Sequence, residues 1–194
     1  MTSVSADEIL ERHGEALRLF TDRVHAVRDD QWSAPTPCTE WTVRDLVAHL
    51  TAEQLWVPSL VTEGRTVAEV GDAFDGDVLG DDPVAAWDRA AAGAREAFAA
   101  PGALERTVNL SYGDTPADAY CAQMVTDAVV HAWDLSRAIG ADERLPALLV
   151  EFARREVGPY AKDLSGSGLF APPVATPADA DPQTALLALL GRRS

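Results

Sequence analysis

The longest stretch of helix-compatible sequence limits the possible folds of this chain more than any other feature. Between Ala117 and Ile139 there is no proline and no glycine, and apolar residues recur at helical spacing. We therefore predict one long helix here, closed by Gly140 at the first position beyond its end. One face of it should turn towards a hydrophobic core, because apolar side chains lie on and beside that face. The residues on the face are Tyr120, Met124, Asp127, His131, Asp134 and Ala138.

Two polar residues of this face, Asp127 and His131, are one helical turn apart, so their side chains can converge on one point. A carboxylate and an imidazole on a buried face are costly unless a partner satisfies them. A metal ion would satisfy both, and it would need at least one more ligand from elsewhere in the chain. The alternative is a buried hydrogen-bonded pair between Asp127 and His131 without any metal.

Prolines and glycines divide the rest of the chain into further helices. Besides the central helix, we predict helices over residues 5–28, 42–58, 83–99, 146–157 and 183–190. Residues 107–112 alternate polar and apolar side chains, which predicts a short strand before a turn at Gly113. Thr115 should then cap the central helix, with Pro116 at its first position. Four substantial helices with short additions predict an all-α fold, a helix bundle with at most one short strand or hairpin.

The size and composition of the chain fit a single domain that spans residues 1–194. Residues 165–194 should form a tail with a short terminal helix packed on the bundle, and an apolar island at residues 169–171 should fold back over it. No apolar run approaches the length of a membrane span. The net charge of −15 argues against nucleic acid or an anionic membrane as a partner.

The cysteine count and the N-terminus both favour a cytoplasmic location. Cys38 and Cys121 are too few for a disulfide framework, so a reducing compartment is expected. The acidic N-terminus lacks the basic-then-apolar pattern of a signal peptide.

Three further residues bear on a possible metal site. His49 lies on the apolar face of the second predicted helix; a lone histidine there is usually structural, but it is also the best-placed partner for Asp127 and His131. His13 lies among apolar residues of the first helix, where we expect a satisfied core or boundary histidine. Cys38 could bind metal or react, but without a paired cysteine nearby we expect neither.

Three segments of the sequence carry a resemblance to a known family. Residues 36–50, Thr-Pro-Cys-Thr-Glu-Trp-Thr-Val-Arg-Asp-Leu-Val-Ala-His-Leu, resemble the start of the second helix in the DinB-like metalloprotein superfamily. The most similar branch is the actinobacterial one related to the N-terminal domain of mycothiol-dependent maleylpyruvate isomerase. Residues 131–138 resemble the His-x-Trp-Asp-Leu signature of that branch. Residues 181–192 resemble the C-terminal segment that its members usually have.

The resemblance implies a four-helix bundle with one divalent metal ion, held by His49, Asp127 and His131. Asp127 would be a shorter variant of the glutamate or histidine found in some relatives. Two imidazoles and one carboxylate leave positions open for water or substrate, as in catalytic sites. Zn²⁺ is the expected ion, with Ni²⁺, Mn²⁺ and Fe²⁺ as alternatives. Asp134, one turn beyond His131, would either orient a metal ligand without binding the metal itself or form a salt bridge with Arg44 or Arg137. Trp133 points away from the ligand face and should pack in the core.

By the same resemblance, the chain is expected to be a metal-dependent enzyme that activates a low-molecular-weight thiol, such as mycothiol, for S-transfer to an electrophile or for its isomerisation. The isomerase carries a second, C-terminal domain, whereas this sequence ends after the predicted bundle, so S-transfer is the preferred expectation. The alternatives are a non-catalytic metal-binding sensor or small-molecule-binding module, and a redox-active iron site. An exposed helix face would allow a homodimer.

Overall fold

The predicted central helix is present in the computed structural model, which describes residues 4–161 and 171–193. This helix, α5, spans Ala117–Ile139, and Gly140 ends it in a left-handed conformation with a φ of 69°. The prediction for its start is wrong, because Thr115 does not cap it and Pro116 precedes its first residue. Both residues instead pair with a neighbouring strand, which holds them in an extended conformation. The helix therefore begins where the strand pairing ends.

Six further helices surround α5 in the described part of the chain. They are α1 (Ala6–His25), α2 (Val43–Val57), α3 (Val67–Val70), α4 (Pro83–Ala99), α6 (Ala147–Val157) and α7 (Pro182–Leu189). Side-chain caps fix the starts of the helices that matter most for the site. Thr42 and Asp45 form a reciprocal capping box at the start of α2, and the Ser5 hydroxyl accepts a hydrogen bond from the Glu8 amide in α1.

Two local elements extend the predicted pattern. After α2 the chain continues as a π-helical segment, Pro58–Thr62, because Pro58 keeps a helical backbone conformation. The predicted short strand is half of a hairpin, in which β1 (Thr107–Leu110) pairs antiparallel with β2 (Gly113–Pro116). The all-α bundle with one short hairpin that the sequence predicts is therefore confirmed.

The core forms where α1, α2, α4 and α6 close around α5. Trp87 of α4 meets the Phe20 ring of α1 edge-on at 4.7 Å, and its indole N–H donates to the Thr21 hydroxyl. His13 is buried in the core as predicted, with its ring edge-on to Phe98 at 5.1 Å. Within the described residues neither nitrogen of His13 has a hydrogen-bond partner, so the expectation of a satisfied histidine is wrong.

The C-terminal helix α7 packs on α6 through its buried leucines, Leu186 and Leu187. Of the predicted apolar island, residues 169 and 170 lie outside the described residues. None of the described helices combines the length and the apolar character needed to cross a membrane.

Candidate metal centre

The structure brings His49, Asp127 and His131 together at the contact between α2 and α5. One carboxylate oxygen of Asp127 lies 3.3 Å from His131 Nε2, and the other lies 3.6 Å from His49 Nε2. One donor atom from each residue lies within 4.8 Å of the donor atoms of the other two. The two elements that carry these side chains are fixed independently, α2 by its capping box and α5 by its burial along most of its length.

The spacing of these donor atoms suits a metal ion. Ligand atoms at about 2.0–2.1 Å from a tetrahedral Zn²⁺ are separated from each other by about 3.3 Å. The nitrogen–oxygen separations, 3.3 Å to one Asp127 oxygen and 3.6 Å to the other, are close to this value and exceed the usual length of a direct hydrogen bond. The residues present therefore fit a divalent cation bound by two imidazoles and one carboxylate.

One side of the cluster remains accessible. The His131 side chain is 2% exposed, whereas those of His49 and Asp127 are 19% and 21% exposed. The indole of Trp41 borders the cluster, 4.9 Å from the His49 ring and 6.0 Å from the His131 ring, measured between centroids. The solvent-accessible part of the cluster therefore lies at His49 and Asp127, beside the Trp41 ring, which the sequence analysis did not single out.

The charges around the cluster favour a cation. Burial opposes ionisation of Asp127, but the favourable interactions of its carboxylate with His131 and His49 outweigh burial and lower the pKa of this carboxyl. Burial also opposes the charged form of His131, but Asp127 and Asp134 outweigh it and raise the pKa of the imidazole well above its ordinary value. The two carboxylates thus create a negative potential at the His131 imidazole, and a bound metal ion would neutralise it.

Asp134 supports His131 from the side opposite to Asp127. Its carboxylate, fully buried, accepts a hydrogen bond from His131 Nδ1 at 2.9 Å. Because a carboxylate only accepts, Nδ1 carries a proton, and Nε2, which faces Asp127, is the nitrogen that can bind a metal ion once it gives up its own proton. This is the arrangement in which a histidine binds metal through Nε2 and is oriented through Nδ1.

The cationic partner of Asp134 is neither of the two arginines considered from the sequence. Arg44 donates to Asp77, and Arg137 donates to Glu143. Arg192, just beyond α7, reaches Asp134 instead, with Nη2 at 2.8 Å from Oδ2. No periodic spacing links two residues so far apart in the sequence, although Arg192 ends the third segment of the family resemblance.

Cys38 completes the surroundings of Asp134. Its Sγ donates to Asp134 Oδ2 at 3.2 Å and lies 3.4 Å from Arg192 Nη2. Cys38, His131 and Asp134 also have donor types and spacings that a metal could use. The permanent charge of Arg192 already occupies that side of the carboxylate, so we interpret this second group as a hydrogen-bond network. The loop that carries Cys38 is bent by Pro35 and Pro37, which the sequence indicated, but its contact with α5 was not predictable.

Trp133 lies outside the cluster, as predicted. It is 1% exposed, and the guanidinium of Arg137 stacks over its ring at 4.4 Å.

Comparison with known proteins agrees with this architecture. The family described as mycothiol maleylpyruvate isomerase N-terminal domain matches residues 13–136. Two uncharacterized proteins, each from a different strain of Mycobacterium tuberculosis, are 37% identical over 185 residues, with coverage of 93% of this chain and 95% of theirs. Crystal structures of mycothiol-dependent maleylpyruvate isomerase and of a histidine-to-alanine mutant superpose with TM-scores of 0.61 and 0.64. They share 16% sequence identity over 85% of this chain and 72% of theirs, which demonstrates a common fold.

Proposed function

The chain belongs to the mycothiol maleylpyruvate isomerase N-terminal domain family, and on this premise we propose that it is a metal-dependent enzyme acting on a low-molecular-weight thiol. Membership of a mycothiol-associated family supports a thiol-related function. The proposed metal dependence is supported by the convergence of His49, Asp127 and His131. Two of these three side chains are partly exposed. The proposed reaction is transfer of a mycothiol-like thiol to an electrophile. The alternative reaction is thiol-dependent isomerisation of that electrophile.

The proposed ligands are the two Nε2 atoms of His49 and His131 and the carboxylate of Asp127. Zn²⁺ is the ion that these donors favour first, with Ni²⁺, Mn²⁺ and Fe²⁺ as alternatives. A divalent cation bound there would lower the pKa of a thiol or water that it contacts. Asp134 would keep His131 in the tautomer that binds through Nε2, because its carboxylate accepts a hydrogen bond from Nδ1–H.

In the proposed transfer the thiol loses its proton, and its sulfur forms a bond to an electrophilic carbon. The leaving group departs from that carbon with the bonding electron pair and takes up a proton, so thiol and electrophile give a thioether and a protonated leaving group. Trp41 offers a flat apolar surface against which the electrophile can lie next to His49.

Metal content tests the first half of the proposal. Purified wild-type protein should contain about one divalent ion per chain, and His49→Ala and His131→Ala should each abolish binding. His25→Ala is the matched control, because His25 is exposed and pairs with Asp88 on the surface. A wild-type protein that takes up no metal when it is offered during dialysis would refute the proposal.

Thiol consumption tests the second half. Metal-loaded wild type should consume mycothiol in the presence of a suitable electrophile, and both ligand variants should lose this activity. A non-catalytic metal-binding module would instead hold the metal without consuming thiol with any of a broad panel of electrophiles. An iron oxygenase would consume oxygen when loaded with Fe²⁺.

A further inference from the structure

A third acidic side chain, besides those of Asp127 and Asp134, accompanies the candidate metal centre without belonging to its ligand set. Glu53 follows His49 by one turn on α2, so the two side chains lie on the same face of the helix. It is half-buried. The group of donor atoms within 4.8 Å of one another comprises those of His49, Asp127 and His131 and does not include Glu53. Glu53 therefore lies on the His49 face of α2, next to the proposed ligand set but outside it.

The surroundings of Glu53 come from three elements. His49 lies on its own helix, Asp127 and His131 lie on α5, and two phenols, Tyr112 and Tyr120, lie on the hairpin and on α5. Burial raises the pKa of Glu53, and the charge of Asp127 raises it further, while the two histidines lower it. Burial also raises the pKa of both tyrosines, and the charge of Glu53 adds to that shift. Glu53 thus interacts electrostatically with the proposed ligands and with two phenols.

The other carboxylates of the centre are committed to partners. Asp127 faces both histidines, and Asp134 accepts from His131, Arg192 and Cys38. Within the described part of the chain, by contrast, no hydrogen bond or salt bridge reaches the Glu53 carboxyl. Its oxygens therefore remain available to an incoming donor.

We propose that Glu53 is the general acid–base of this centre, a role that rests on the proposed thiol-transfer function. When the thiol binds, the Glu53 carboxylate takes the S–H proton and becomes a carboxylic acid. The sulfur then forms its bond to the electrophilic carbon as the leaving group departs with the bonding pair. Glu53 returns its proton to that leaving group, so the carboxylate is regenerated and no further reactant is needed.

Proton counting distinguishes this role from a structural one. Mycothiol is titrated into Zn²⁺-loaded protein at neutral pH, by calorimetry in buffers of different ionisation enthalpy. Wild type should release close to no proton per thiol bound, because Glu53 keeps it. Glu53→Gln should release close to one proton per thiol, and its kcat should fall by about 10²–10⁴-fold. Its metal content should equal that of wild type.

Glu151→Gln, an exposed change on α6, is the matched control and should behave as wild type. If Glu53→Gln is insoluble, Glu53→Asp replaces it, and it should retain the proton but turn over more slowly. Equal proton release by wild type and Glu53→Gln, or loss of metal in the variant, would overturn the role of Glu53 and leave the proposed function standing. Failure of wild type to bind mycothiol would overturn both.

Discussion

Arg192 donates to both oxygens of the Asp134 carboxylate, at 2.8 and 3.2 Å, although the two residues are 58 positions apart in the sequence. The side chains of this ion pair are 6% and 0% exposed. The same carboxylate accepts from His131 Nδ1, so a continuous set of charged hydrogen bonds joins the segment after α7 to a proposed metal ligand. The end of the chain therefore takes part in holding the candidate centre.

Replacing Arg192 by methionine should destabilise the fold strongly. The substitution keeps much of the buried side-chain volume but takes the guanidinium away from the buried Asp134 carboxylate, and breaking a buried pair in this way costs about 3–5 kcal/mol. The free energy of unfolding from urea titrations measures the effect. Arg144→Met is the control: Arg144 pairs with Asp142 in solvent, and its loss should change little. Equal stabilities of the two variants would contradict a buried ion pair at Asp134.

Asp134→Asn should weaken metal binding without abolishing it. The amide oxygen can still accept from His131 Nδ1, but it lacks the charge that makes the imidazole a better ligand, and such losses typically cost 10–100-fold in metal affinity. Competition with a chromophoric chelator measures the dissociation constant. Asp88→Asn, which alters only the surface pair with His25, should leave the affinity unchanged. An unaltered affinity in Asp134→Asn would show that Asp134 serves the fold and not the centre.

His13 should make the fold sensitive to acid. Burial, with a contribution from Arg95, lowers the pKa of His13 to about 3, whereas the unfolded chain has the ordinary value of 6.5. Between these two pH values His13 is protonated in the unfolded state but not in the folded state. The free energy of unfolding therefore decreases as the pH falls from 6.5 towards 3. From pH 6.5 to pH 5 this histidine should cost about 2 kcal/mol.

The variant His13→Leu isolates this effect. It should unfold with a shallower pH dependence than wild type, by about one proton, over the same interval of pH 6.5 to 5 in urea titrations. His25→Leu, an exposed change, should keep the wild-type slope. Parallel curves for wild type and His13→Leu would mean that His13 takes up its proton as readily in the folded state as in the unfolded state.

Local patterns predicted most of this architecture because they act within a few residues. The absence of proline and glycine defined α5, and a spacing of four residues placed Asp127 beside His131. Two kinds of feature could not be predicted from such local patterns. Thr115 has the local chemistry of a helix cap, but pairing with β1 competes for the same backbone and prevails. The contact of Arg192 with Asp134 depends on how the segment after α7 packs against α5, and no periodic pattern in the sequence indicates that packing.

Metal binding should also stabilise the fold, because the proposed ligands come from two separate helices and meet only in the native state. A ligand at 100 times its dissociation constant that binds only the folded chain adds about 2.7 kcal/mol to the free energy of unfolding. Urea titrations with and without Zn²⁺ at that concentration should show this gain in wild type and in His25→Ala, and no gain in His49→Ala. Because the measurement needs no substrate, it reports on the centre even where the electrophile is unknown. An equal gain in His49→Ala would place the metal elsewhere on the chain.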